Sequence, residues 1–194
     1  GKLYKTTSKD ENWLSGKAGT VEEYKDFEDR VVLKRLWETE SKALNTYYVY
    51  DDFGDLRYVI PPGYSATAIT DNNANFNELL YAYRYDSRRR LVEKKVPGKG
   101  WEYIVYNKND QPILTQDALQ RTRKEWLYTR YNAFGQVTTS GIYTNSNATQ
   151  ISRAQMQAAV DAHTGPLWET RVAADYPVAS AKTTFPVPGT GITL

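Results

Sequence analysis

A single histidine, His163, and the absence of cysteine leave this chain few of the side chains that carry polar catalysis. His163 closes a helical-looking segment just before Thr164-Gly165, where a histidine commonly meets the last carbonyls of a helix, and capping explains it better than catalysis. One His and no Cys exclude a metal site built from nitrogen and sulfur ligands. An oxygen-only calcium site in Asp71-Asn72-Asn73 would lack the spaced carboxylates and closing Glu of an EF-hand loop, so neither metal nor cofactor is expected. Glycoside hydrolysis needs two carboxylates facing each other across a sugar, about 5 to 10 Å apart. Glu22, Glu23, Asp51, Asp52 and Glu102 are available, but Asp51 suits a turn and the others suit solvated strand faces. Gly98-Lys99-Gly100 fits a hairpin turn rather than a phosphate loop, having no strand-to-helix context. Ser140-Gly141 lacks the setting of a nucleophile elbow. Enzymatic activity is not expected.

Binding chemistry has better candidates. Trp101, Tyr103, Trp126 and Tyr128 fall at alternating positions of two strand-like stretches, and flat aromatic faces are where sugars stack. The same rings can pair across strands as the core of a sheet short of Leu, Ile and Phe, and core is the favoured reading over glycan platform. The basic run Arg88-Arg89-Arg90, continued by Lys94-Lys95, is the largest local charge feature. With 25 basic against 23 acidic residues and a net charge of +2, it fits a solvated hairpin, and no nucleic-acid partner is expected.

What would position these residues is an imperfect repeat. Its form is an aromatic residue, Asp or Asn, two variable residues, Gly or Asp, a polar residue and an aliphatic one. Tyr50-Asp51-Asp52-Phe53-Gly54-Asp55-Leu56 and Tyr131-Asn132-Ala133-Phe134-Gly135-Gln136-Val137 are the clearest copies. Looser copies start at Tyr85-Asp86 and Tyr106-Asn107, and a degenerate one at Lys25-Asp26. The Asx positions 26, 51, 86, 107 and 132 are spaced by 25, 35, 21 and 25 residues, a period near 20 to 25 with one insertion. Asp or Asn at the first turn position bonds its own backbone two residues on, and a residue with positive φ three positions later lets the chain return as an antiparallel strand. Each copy is therefore a hairpin tip. Asp29 and Asp110 tolerate the left-handed position, whereas Arg89 is a poor candidate for it.

The flanks alternate as hairpin arms do. Lys124, Trp126, Tyr128 and Arg130 share one face; Glu125, Leu127, Thr129 and Tyr131 share the other. Thr46–Tyr50, Leu56–Ile60 and Trp101–Tyr106 are further strands. Pro61-Pro62-Gly63 stops one arm, and residues 76–81 suit a short helix or another strand. Ser152 caps a helix over Arg153–Ala162 that ends before Gly165-Pro166, and a Pro- and Gly-rich tail follows. The fold class is mainly β: an antiparallel β-hairpin repeat sheet with one C-terminal helix. The expected divisions are a lead-in at 1–20, the repeat sheet at 21–145, and a helix plus tail at 146–194. Sixteen Tyr and five Trp against five Phe suit such half-buried pleated surfaces, and a mean hydropathy of −0.67 implies a very polar exterior. No apolar run approaches the roughly 20 residues of a membrane helix.

The tip units Tyr50-Asp51-x-x-Gly54 and Tyr131-Asn132-x-x-Gly135 resemble the tyrosine-aspartate (YD, or Rhs) repeat. Glu23-Tyr24-Lys25-Asp26, Arg30-Val31-Val32-Leu33-Lys34-Arg35 and Gly141-Ile142-Tyr143 resemble the Rhs-associated proteins of Bacteroidetes. The likeness covers about residues 20 to 145 and marks Asp51, Gly54, Asp86, Asn107, Asn132 and Gly135 as repeat-turn positions. It implies a piece of a large secreted or cell-surface polypeptide whose hairpins join into a continuous sheet. In relatives that sheet wraps a C-terminal toxin, and the repeats are linked to carbohydrate binding. The Asp-Pro-x-Gly-Leu signature of the family's self-cleaving core is missing. The expected role is a non-catalytic structural and interaction module whose partners are other segments of its own polypeptide. A glycan is the alternative ligand, and exposed edge strands allow a dimer by edge pairing.

Overall fold

A computed structural model describes residues 2–64, 69–70, 74–144, 151–169, 185–186 and 192–193. The fold is mainly β, an antiparallel sheet of hairpins whose strands follow chain order within each of two compact units. The first unit holds β1 (Tyr4–Ser8), β2 (Val21–Lys25), β3 (Val31–Trp37), β4 (Ala43–Tyr50), β5 (Leu56–Ile60), α1 (Ala74–Leu79) and β6 (Tyr81–Tyr85). The second holds β8 (Gly100–Tyr106) from Trp101 on, β9 (Pro112–Gln116), α2 (Ala118–Arg123), β10 (Glu125–Tyr131), β11 (Val137–Thr144), α3 (Arg153–Ala162) and β12 (Ile192–Thr193). The strand between them, β7 (Leu91–Val96), gives its first three residues to the second unit and its last three to the first.

Turn chemistry sets the register. In the hairpins β2–β3, β4–β5, β8–β9 and β10–β11 the pairing slips by one residue just before the Asx position, at Lys25, Tyr50, Tyr106 and Tyr131. A bulge there absorbs the extra tip residue and adds local twist. The expected lead-in carries a strand of its own, since β1 pairs with β2 over five residues from Tyr4↔Lys25 to Ser8↔Val21. In the tail, β12 pairs with β11 at Ile142↔Thr193 and Tyr143↔Ile192.

The two units bury apolar surface very differently. In the second, Val105, Ile113, Leu114, Trp126, Tyr128 and Tyr143 from the strands meet Met156 and Val160 of α3. Met156 and Val160 stand four residues apart, so one stripe of the helix faces the sheet. A reciprocal capping box between Ser152 and Gln155 starts that helix. The Gln157 amide acts as a strand neighbour for Tyr106, accepting from its N–H at 3.1 Å and donating to its carbonyl at 2.8 Å. In the first unit Phe76, Leu80 and Ala82 are buried around α1 and β6. Among residues 2–64 only Thr20 and Glu22 are buried, and neither is hydrophobic.

Only one capped helix is expected from the sequence; the structure adds α2, held by a box between Asp117 and Gln120 and ended by Lys124 at φ 57°. Lys124 is thus a helix cap and β10 begins at Glu125. Residues 76–81 divide between the helix α1 and the start of β6. Among the described residues no helix is long and apolar enough to cross a membrane.

Candidate functional site

The repeated feature of the molecule is the hairpin tip, and all five tips have the same backbone geometry. The Asx Oδ1 accepts from the N–H groups two and four residues on: Glu28 and Arg30 at Asp26, Phe53 and Asp55 at Asp51, Arg88 and Arg90 at Asp86, Asn109 and Gln111 at Asn107, Phe134 and Gln136 at Asn132. The Asx N–H donates to the carbonyl four residues on, at 2.9 to 3.0 Å, and its carbonyl accepts from the residue three on. That third residue has positive φ throughout: Asp29 63°, Gly54 83°, Arg89 61°, Asp110 61° and Gly135 76°.

Arg89, a poor candidate for the left-handed position by local sterics, nevertheless occupies it at φ 61°. Its left-handed strain is offset by where the side chain goes. The guanidinium reaches the neighbouring tip and donates from Nε and Nη2 to the two Asp55 oxygens at 3.0 and 2.8 Å, with a further bond to the Phe53 carbonyl at 2.8 Å. Gly54 in that neighbour is needed for its φ of 83°, and a Cβ there would press on the end of the Arg30 side chain of the first tip, 3.0 Å from Nη1.

The second Asx atom finds its partner four residues on, and the partner's chemistry matches. Asp26 Oδ2 accepts from Arg30 Nε at 2.8 Å, and Asp86 Oδ2 from Arg90 Nε at 2.8 Å. At the amide tips Asn107 Nδ2 donates to Gln111 Oε1 at 2.8 Å, and Asn132 Nδ2 to Gln136 Oε1 at 2.9 Å. Asp goes with Arg and Asn with Gln. Asp51 is followed four on by Asp55, so it pairs with Arg57 at 3.5 Å while Asp55 takes Arg89. Burial raises the Asp26 and Asp86 carboxyls, but the Arg30 or Arg90 guanidinium and the turn N–H groups outweigh it and hold both below the usual carboxylate range. At Asp51 the Asp55 N–H leads the same lowering, against burial and with help from Phe53 and Arg57.

The tyrosine before the Asx has a role the sequence does not display. Its hydroxyl donates to the carbonyl five residues past the preceding tip's Asx: Tyr50 to Val31 at 3.1 Å, Tyr85 to Leu56 at 3.1 Å, Tyr106 to Leu91 at 2.8 Å and Tyr131 to Pro112 at 2.9 Å. Four tyrosines clamp four tips. Burial pushes the phenols of Tyr50, Tyr85 and Tyr131 up.

The candidate glycan platform is corrected in half its residues. Trp126 and Tyr128 are 0% exposed in the second unit's core and have no free face for a sugar. They pack with Met156 and Val160 of α3, and Arg130 on the same face meets Glu169 at 3.5 Å. Tyr128 lies across Gly141, where a Cβ would sit 2.9 Å from its hydroxyl. Trp101 and Tyr103 are half-buried, and Tyr103 carries the Arg121 guanidinium 4.3 Å from its ring centre. The basic run is consumed locally: Arg89 and Arg90 hold Asp55 and Asp86, and Lys95 is fully buried. Lys95 Nζ donates to the Phe76, Asn77 and Leu80 carbonyls at 2.7, 2.8 and 3.1 Å, closing the C-terminal end of α1. Burial lowers its pKa.

Of the carboxylates open to hydrolytic chemistry, Glu22 accepts from Lys5 and Tyr24, Glu23 pairs with Lys34, and Asp51 is spent in its turn. Gly98-Lys99-Gly100 is a hairpin turn, with Gly98 at φ 69° and Gly100 at φ 77°. The Asp71-Asn72-Asn73 loop lies outside the described residues. His163 occupies the C-cap of α3, its N–H bonding the Val160 carbonyl, and its ring meets Phe185 edge-on at 6.0 Å. His163, Arg130, Asn107 and Phe185 border a cavity of about 20 Å³, room for roughly one water.

No family model matches the sequence, and no curated protein matches it. Among solved structures it is similar to "Crystal Structure of TcdB2-TccC3-TEV", with a TM-score of 0.50 and 15% identity over 74% of this chain. It is similar also to "Crystal Structure of TcdB2-TccC3 without hypervariable C-terminal region", with a TM-score of 0.51 and 14% identity over 74%. The chain spans 7% of the length of the chains it matches. At these identities the likeness is one of fold.

Proposed function

We propose that the chain is a non-catalytic structural and interaction module, a section of the hairpin scaffold of a much longer YD-repeat (Rhs) protein of the Bacteroidetes Rhs-associated type, secreted or at the cell surface. The carrying observation is the clamp. The repeat's Asx closes its own tip and the tyrosine before it spends its hydroxyl holding that hairpin to the preceding one, so the signature itself encodes assembly. The fold likeness to a small part of the TcdB2-TccC3 structures supports a toxin-associated scaffold, and the partners are neighbouring segments of the same polypeptide.

The test removes the clamps by Tyr→Phe at 50, 85, 106 and 131, singly and together. The scaffold reading expects melting temperatures to fall stepwise, with a glycan array silent for the parent chain. The carbohydrate-binding alternative keeps one foothold, the half-buried faces of Trp101 and Tyr103. Array binding that disappears in Trp101→Ala while circular dichroism is unchanged would replace the scaffold reading with that one.

A further inference from the structure

We infer that the cavity where α3 meets β10 is a hydration site: one enclosed water accepts from Arg130 Nε and donates to His163 Nε2, latching the C-terminal end of α3 to the sheet. The site lies within the second unit and does not depend on the scaffold reading. Two polar atoms carry it. Arg130 Nε and His163 Nε2 are both sealed from solvent, and among the described residues neither has a hydrogen-bond partner. Both side chains border the same cavity of about 20 Å³. Arg130 is only 2% exposed, and an enclosed donor without an acceptor is costly. A cavity of that size takes about one water, and a water held between polar groups is the usual partner of such atoms.

The charges at the site favour water over an anion. The guanidinium's other nitrogens are already engaged, Nη1 with the Glu169 carboxylate at 3.5 Å and Nη2 with the Pro186 carbonyl. The buried charge is compensated, and what Nε lacks is an acceptor rather than a counter-ion. Guanidinium nitrogens only donate, whereas an imidazole nitrogen donates or accepts according to the tautomer. A water that accepts from Arg130 has its own hydrogens to place. Ile113, Val160, Pro166, Leu167 and Phe185 give the lining no side-chain acceptor, and Asn107 Oδ1 already takes two N–H bonds of its own turn. His163 Nε2 is the acceptor at hand, which fixes the ring proton on Nδ1. His163 caps α3 through its backbone N–H alone, so the water gives the side chain of the chain's single histidine a role that capping does not. It also ties the end of the helix that carries Met156 and Val160 into the core to the strand beneath.

A single histidine gives an imidazole nitrogen NMR spectrum that needs no assignment. In the parent chain the neutral ring is expected as the Nδ1–H tautomer, with Nε2 unprotonated. A crystal structure of the parent is expected to place one water within hydrogen-bond reach of both Arg130 Nε and His163 Nε2, and a bromide soak is expected to leave that water in place. His163→Phe, with circular dichroism as the folding control, is expected to hold one long-lived water fewer than the parent in relaxation dispersion of the water oxygen. An Nε2–H ring, a dry cavity, bromide at the site, a protein group bonded to either atom, or an unchanged water count in a folded His163→Phe overturns the inference. The tautomer and the crystal structure are read on the parent chain, so they decide the outcome even where the variant does not fold.

Discussion

At the scale of single residues the tips make a matched-pair prediction. Asp86 and Arg90 form one kind of tip, Asn107 and Gln111 the other. Asp86→Asn alone keeps the turn acceptor but turns an amide donor toward the Arg90 guanidinium and loses the bonds made at Oδ2. A loss of about 1 to 2 kcal/mol is expected in chemical denaturation. Adding Arg90→Gln converts the tip to the amide kind and should recover most of the loss, a coupling that a double-mutant cycle reads directly. Additive losses would show that the pairing carries no energy of its own. The same carboxylates set the acid response. Asp26, Asp51 and Asp86 lie below their ordinary value of 3.8 in the fold, so the unfolded chain binds protons first as pH falls. Their contribution is complete above the unfolded pKa and disappears as pH drops through the folded values. Urea midpoints measured from pH 6 to pH 2 should therefore fall below about pH 4, and a variant with Asn-Gln tips at 26/30 and 86/90 should fall less.

At the scale of elements, hairpins hold together by contacts that differ in how visible they are in the sequence. The Asx residue and the Gly after it are legible because their bonds close within four residues. The clamp is not, because its acceptor is a backbone carbonyl 15 to 29 residues earlier and a carbonyl has no letter. Only its regular offset, five past the previous Asx, could have shown it. Arg89 was misjudged for the converse reason: local sterics disfavour it, and the Asp55 carboxylate that compensates belongs to another hairpin. The helix α2 was open to view, since Asp117-x-x-Gln120 spells a capping box, but its six residues carry no buried stripe for periodicity to find. The aromatic alternation at Trp126 and Tyr128 was legible as a face, while its burial depended on α3 docking from residues 153–162. Two element-level tests follow. Tyr85→Phe leaves the Leu56 carbonyl without its donor and should cost about 1 kcal/mol, with the far-UV spectrum unchanged. Gly141→Ala forces the Tyr128 ring off its neighbour strand and should cost about 1 to 3 kcal/mol; a neutral result would mean the ring has another place to go.

At the scale of the whole molecule, stability must be uneven, because a sheet gains its hydrophobic energy only from a face that something covers. The second unit has that cover in α3, and Leu114, Trp126, Tyr128 and Val105 are fully buried beneath it. Through β1 to β5 the only buried residues in 2–64 are Thr20 and Glu22, and Leu36, Tyr47 and Val49 remain 41%, 44% and 36% exposed. Those strands depend on ladder hydrogen bonds, clamps and ion pairs such as Lys34–Glu23 and Arg35–Glu22, each of which contributes little once water can compete. Opening them exposes little new apolar surface, so the cost of a local opening lies well below that of global unfolding. Native-state hydrogen exchange should then rank the strands: slowest in β9 and β10, with amides that open only globally, and fastest in β1 and β2, with amides that open at low free energy and low denaturant dependence. Equal protection across all the strands would mean that the first unit has a covering layer beyond the ladder and clamps described here.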